Sequence, residues 1–212
     1  MSSDPPNASP SRAAEPPAPD RGLAELVRLR GAPLLDAVEA HLPGSREHAE
    51  ATGSYVCAAA VRLGLERAAA ELCRETAKLH DAGMVYVPAA VATAPYESWD
   101  DEQRSAFDAH YEAGARLALG SGIPDDVSAW LLRIRERFDG AGPEGLSGDA
   151  IPVAARLTRA ACALDTLLAS PRGGQSPAAR RADAIERLRS AAGRELDPAV
   201  VEGLVAGLRA NA

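Results

Sequence analysis

Aromatic side chains are scarce in this sequence. They make up 4% of 212 residues: two tryptophans, two phenylalanines and four tyrosines. No alternation of period two is sustained anywhere, so the pattern of a β-sandwich or barrel is absent. Cysteines number only three, Cys57, Cys73 and Cys162. That excludes a disulfide framework and points to a reduced, cytoplasmic chain. No apolar run reaches the roughly 18 residues of a membrane span, and the N-terminus has no apolar signal-peptide core, so no membrane role is expected. Positive charge is not in excess either: the formal net charge is -7 and the pI is about 5.2. Nonspecific nucleic-acid binding needs a basic face and is not expected. Arginines nevertheless cluster at Arg133, Arg135 and Arg137, and again at Arg180 and Arg181.

What is abundant is alanine and leucine, and this favours helix. Residues Met1 to Asp20 are rich in Pro, Ser and Ala without hydrophobic periodicity, and read as a disordered tail. Residues 21–212 read as one all-α domain, long enough to bury a single core. Gly31 and Pro33 divide its first apolar run into two short helices. A helix from Ser45 to Leu63 follows, with Ser45 as a candidate cap and Gly64 as its stop. Leu65 to Leu79 is the next, and Val85 to Ala92 is irregular or a single turn. Further helices are predicted from Asp100 or Asp101 to Leu119, Asp125 to Phe138, Ile151 to Leu168, Pro177 to Ala192 and Pro198 to Ala210. A glycine-rich loop (139–149) and a flexible loop (170–176) separate the last four.

The chemistry centres on His80-Asp81, an imidazole and a carboxylate side by side at a helix end. That pair suits a divalent ion of the Zn, Fe or Mn kind. His48, His80 and His110 fall on three separate predicted helices, and ligands converging from several helices are how bundles build metal sites. The alternative is that His48 and His110 are half-buried helix residues bonded to a carbonyl or water.

The order and spacing of several segments resemble the HD-GYP group of the HD metal-dependent phosphohydrolase superfamily, over roughly Leu34 to Leu208. His48 with Leu63-Gly64-Leu65 resembles the first family helix, and Leu79-His80-Asp81-Ala82-Gly83 with Val87-Pro88 the HD segment. His110-Tyr111-Glu112-Ala113-Gly114 resembles the next ligand segment, and Glu136-Arg137-Phe138-Asp139-Gly140-Ala141-Gly142-Pro143 the signature loop. Ile151-Pro152, Ala155-Arg156-Leu157, Asp165, Gly193, Leu196-Asp197-Pro198 and Val200-Val201 follow in order. The resemblance implies a helical domain that binds two or three metals, often iron or manganese, and hydrolyses cyclic di-GMP. It assigns His80 and Asp81 to catalysis and His48, His80, Asp81 and His110 to metal.

The chain departs from that pattern where the chemistry is decided. Met84 stands where a phosphate-binding lysine is expected. Ile134 and Arg135 replace two adjacent histidines, Cys162 replaces an aspartate ligand, and the loop tyrosine is missing. A guanidinium about 4 Å from a divalent ion costs roughly 8 kcal/mol at an effective dielectric near 20. One metal, zinc, manganese or iron, is therefore expected at most. Cys162 could complete a closed zinc site with His48, His80 and Asp81, or could be a small packing residue. Asp165 is placed to hydrogen-bond a ligand histidine or to face solvent. Arg135 and Arg156 are candidate phosphate contacts. The expected function is a degenerate HD-GYP-like module with weak or no cyclic di-GMP phosphodiesterase activity. It would sense a cyclic dinucleotide or another phosphate ligand, or bind a protein partner in signalling. The alternative is an active phosphohydrolase with a reduced, mononuclear site.

Overall fold

The computed structural model describes residues 21–95, 98–169 and 175–210. The anticipated tail and positions 170–174 of the anticipated loop lie outside them. The described chain is helical: α1 (Arg21–His41), α2 (Ser45–Arg62), α3 (Arg67–Lys78), α4 (Ala89–Ala92), α5 (Asp101–Asp108), α6 (His110–Gly120), α7 (Asp125–Leu132), α8 (Val153–Ala169), α9 (Pro177–Ala191) and α10 (Pro198–Ala210). Among the described residues there is no β-strand, only an isolated bridge between Ala192 and Leu196.

The N-terminal helix is continuous where two short helices were expected. Pro33 lies inside α1, although an interior proline loses a hydrogen bond and costs about 3 kcal/mol. Burial offsets that cost: Ala24, Val27 and Val38 are buried along the helix. Gly31 is a contact point and not a break, since a Cβ there would lie 2.7 Å from Leu79 Cδ2. Leu79, which directly precedes the His-Asp pair, thus packs against α1.

Gly44 turns the chain into α2 with φ 95°, and the cap is Glu39 in place of Ser45. The Glu39 carboxylate accepts from the amides of Gly44 (3.1 Å) and Arg46 (2.8 Å). α2 crosses α3 closely at Gly53, whose Cβ would lie 2.8 Å from Lys78 Cγ. Lys78, the chain's single lysine, is buried there. Its amine is 2.8 Å from Glu50 and 3.2 Å from Glu75. The main core gathers around α8, whose Leu157, Ala160, Ala161 and Leu164 pack with Val56, Ala59 and Ala60 of α2 and Val200, Val201 and Leu204 of α10. Small residues on α2 and α8 let these helices approach, and so bring their polar positions near one another.

Two expected helices are shorter than the apolar pattern suggested. The 101–119 run breaks at Ala109. There the His110 ring Nδ1 donates to the Phe107 carbonyl, which a continuous helix would offer to the Tyr111 amide. The 125–138 run ends at Leu132, followed by a 3-10 turn at Arg133–Arg135 and extended backbone at Glu136. The buried Glu136 carboxylate accepts from the amides of Glu144 (2.7 Å) and Leu146 (2.9 Å), folding the glycine-rich loop back on itself.

Candidate metal centre

His80 and Asp81 follow α3 directly. The last carbonyls of a helix lack intrahelical partners. The Ala77 carbonyl is one, and it accepts the His80 Nδ1–H at 2.8 Å. A 3-10 turn, Ala82–Tyr86, follows and crosses α6. The crossing is so close that a Cβ on Gly83 would sit 1.9 Å from the His110 carbonyl oxygen. This contact sets Asp81 beside His110. His48 comes from the first turns of α2. Cys162 and Asp165 lie one turn apart on α8 and face it.

The distances describe one cluster. His48 Nε2 is 3.1 Å from His80 Nε2, 3.7 Å from Cys162 Sγ and 3.8 Å from Asp81 Oδ2. His80 Nε2 is 3.3 Å from Asp81 Oδ2, and His110 Nε2 is 3.5 Å from Asp81 Oδ1. His48 Nδ1 donates to Asp165 at 2.6 Å. The ring of His80 is 1% exposed and that of His110 is fully buried.

These contacts fix the tautomers. A carbonyl only accepts, so the Nδ1 of His80 and of His110 carries a proton. The carboxylate of Asp165 asks the same of His48. In the neutral form each ring then presents its Nε2 lone pair inward. Two lone pairs 3.1 Å apart repel unless a proton or a metal cation lies between them, and the buried His110 Nε2 has no hydrogen-bond partner among the described residues. Burial opposes charge on His48, but the Asp165 hydrogen bond and the Cys162 and Asp81 charges outweigh it and raise its pKa to about 10. Burial is likewise outweighed at His80, mainly by Asp81 and Cys162, and its pKa rises to about 9. The His48 charge works against the rise at His80, and the two rings titrate together, well above pH 6.5. The same cations reverse the effect of burial on the acids: Asp81 sits well below the usual carboxylate range, and the Cys162 thiol falls to about 6. Cys73 is the contrast. It lies in the apolar core, where burial pushes its thiol up to about 12. The donor set therefore fits one divalent cation: inward nitrogens with their outer nitrogens anchored, a carboxylate and a thiol.

The two arginines anticipated for phosphate part company. Arg135 sits at the mouth, paired with Asp108 (2.9 Å) and 5.8 Å from the Tyr111 ring centroid, and Tyr111 stacks 3.9 Å from His110. Arg156 does not reach the cluster. Its Nη1 is held by Asp197 (2.5 Å) and Asp149 (3.0 Å), and its Nε donates to the Ile151 carbonyl (3.0 Å). Arg159 lies three residues before Cys162 on the same helical face, its Nη2 4.0 Å from the Glu195 carboxylate. It donates to the Ile134 carbonyl at 3.2 Å, next to Arg135 in the chain. Burial and the Cys162 and Asp81 charges raise the Tyr111 pKa, while Arg159 and Arg135 oppose them, so all five groups share one neighbourhood. Arg159 and Tyr111 escaped the sequence reading; the i, i+3 offset of Arg159 from Cys162 was the available signal. Ile134 is buried in the core, 4% exposed. Beside His110 opens a groove of about 770 Å³ lined by Tyr86, Ala106, Ala113, Arg116 and Leu117, with Tyr86 67% exposed.

Known proteins share this arrangement of helices. The family described as HD domain matches residues 33–200. The cyclic di-GMP phosphodiesterase response regulator RpfG of Xanthomonas campestris pv. campestris is 32% identical over 177 residues, covering 82% of this chain and 46% of the relative. The chain thus spans less than half the length of that curated relative. Among solved structures, an HDG"Y"P protein from Bdellovibrio bacteriovorus superposes with a TM-score of 0.64 at 22% identity, covering 88% of this chain and 61% of the other. The PgpH HD domain of L. monocytogenes, solved in complex with cyclic-di-AMP, gives a TM-score of 0.62 at 16% identity, covering 84% and 96%. The chain belongs to the HD domain family of phosphohydrolases, in homology with its HD-GYP members.

Proposed function

We propose that this chain is a single-metal HD domain that binds a cyclic dinucleotide or related phosphate ligand and acts as a sensing or interaction module in signalling, with weak or no turnover of cyclic di-GMP. The observation that carries this reading is the environment of Ile134 and Arg135. At the positions where the HD-GYP pattern expects two histidines, one side chain is buried in the core and the other pairs with Asp108. His110 therefore lacks companions for a second ion. His48, His80 and Asp81 would hold one divalent ion, with His110 and Cys162 as further donors. When bound, the ion would supply positive charge toward a phosphoryl oxygen.

The chain's own residues provide the rest. Asp165 orients His48, and the Ala77 and Phe107 carbonyls orient His80 and His110. Arg135 and Arg159 supply guanidinium donors for phosphate at the mouth. The exposed Tyr86 in the adjoining groove offers a face on which a base can stack. Elemental analysis combined with cyclic di-GMP binding and product chromatography tests the reading. One metal per chain, binding, and little or no linear product are expected. Two metals with rapid conversion would overturn it. A second reading, an active mononuclear phosphohydrolase, draws on the intact His80-Asp81-His110 contact. It requires hydrolysis of a generic phosphodiester that His80→Ala and Asp81→Ala both abolish.

A further inference from the structure

We infer that Cys162 is a thiolate ligand, joining His48 and His80 in a mixed nitrogen and sulfur donor set that selects a zinc-type ion over the harder iron and manganese. This rests on the single-metal reading above and deepens it. Ligand spacing is the first argument. Zinc binds nitrogen and oxygen at about 2.1 Å and thiolate at about 2.3 Å in a tetrahedron, which places two nitrogens, or a nitrogen and an oxygen, about 3.4 Å apart and nitrogen and sulfur about 3.6 Å. The chain holds His48 and His80 nitrogens at 3.1 Å, His80 and Asp81 at 3.3 Å, and His48 and Cys162 at 3.7 Å. His48, His80 and Cys162 donor atoms all lie within 4.8 Å of one another. The His48–Asp81 separation, 3.8 Å, is the longest of the distances from His48 to these donors.

Surroundings are the second argument. A packing cysteine looks like Cys73, immersed among Val56, Ala60 and Ala77. Cys162 is half-buried and faces imidazole nitrogens. Position is the third. His110 approaches Asp81 through the other carboxylate oxygen, Oδ1, and stands apart from the three. A thiolate among two imidazoles suits zinc, whereas carboxylate-rich sets suit manganese.

Cobalt(II) makes the thiolate visible. The full chain, stripped of metal and titrated with Co²⁺, should take one ion and show a thiolate-to-cobalt charge-transfer band in the near ultraviolet. Cys162→Ser should lose the band and weaken Zn²⁺ binding by more than the roughly 10- to 100-fold cost of losing an outer hydrogen-bond partner. Cys162→Asp should bind Co²⁺ without the band and shift preference from Zn²⁺ toward Mn²⁺, so the result does not depend on the folding of one variant. Zn²⁺ should also shield Cys162, but not Cys57, from alkylation in the wild-type chain. One cobalt without the band, or a band surviving in Cys162→Ser, would overturn the inference and leave the single-metal reading standing. Two cobalt ions with a Cys162-dependent band would do the reverse. No metal at all would overturn both.

Discussion

Gly83→Ala adds one methyl group at the point where the turn after Asp81 crosses α6. The structure sets the size of the effect. The new Cβ would lie 1.9 Å from the His110 carbonyl oxygen, 2.6 Å from the Gly114 nitrogen and 2.8 Å from the His110 carbonyl carbon. All three atoms are backbone, so no side chain can swing aside. An ordinary carbon–oxygen contact needs about 3.3 Å, so the turn and α6 must part by more than 1 Å. Overpacking of this kind costs about 3 kcal/mol, at the upper end of the usual range because the obstacle is rigid. For a chain of this size that corresponds to a fall in Tm of roughly 6–12 °C. The same separation would draw Asp81 away from His110, now 3.5 Å apart, and so should weaken metal binding. Gly120→Ala is the matched control. It lies on α6 with no atom within 4 Å of its Cβ position and should be neutral or stabilising by about 0.5–1 kcal/mol. Thermal melts of both variants decide the matter. A Gly83→Ala protein melting within 2 °C of Gly120→Ala, a threshold of about 1 kcal/mol or less, would refute the crossing as described.

Metal affinity should keep rising between pH 7 and 9, by about tenfold per pH unit for each proton displaced, because His48 and His80, with pKa values raised to about 10 and 9, must give up their inward protons to a metal. An isolated histidine site levels off above about pH 6.5; chelator competition showing a plateau from pH 7 would contradict the raised pKa values of the two rings. The two guanidinium groups on α8 should behave oppositely. Arg156→Ala should cost about 2–3 kcal/mol of stability by stranding the buried Asp197, without affecting pyrophosphate affinity. Arg159→Ala should weaken pyrophosphate binding several-fold with little change in Tm, by isothermal titration and melting.

The grouping of the candidate donors was partly legible in the sequence, because His80 and Asp81 sit at a helix end and His48 in the first turn of α2. His48, His80, Asp81 and Cys162 meet in space although they come from separate segments. Helix boundaries were less legible where tertiary contacts override local preference. Gly31 and Pro33 read as a break, but Gly31 is what lets α1 press on Leu79. Apolar periodicity ran through Ala109, but the His110 ring takes the carbonyl that would have continued the helix. Arg156 looked available for phosphate because its partners, Asp197 above all, are distant in sequence.

The buried lysine has a practical consequence. Every other basic side chain apart from the histidines is an arginine, so Lys78 is the one side-chain amine in the sequence. Its Nζ is enclosed by Glu50 and Glu75 at the α2–α3 crossing, beside Gly53. An acylating reagent can reach that amine only when those two helices separate, and the same separation moves His48 away from His80. The rate of acylation at Lys78 is therefore a built-in clock for opening of the bundle. Slowing of that clock by an added ion would report the ion's grip on the two helices directly, with no signal needed from the ion itself.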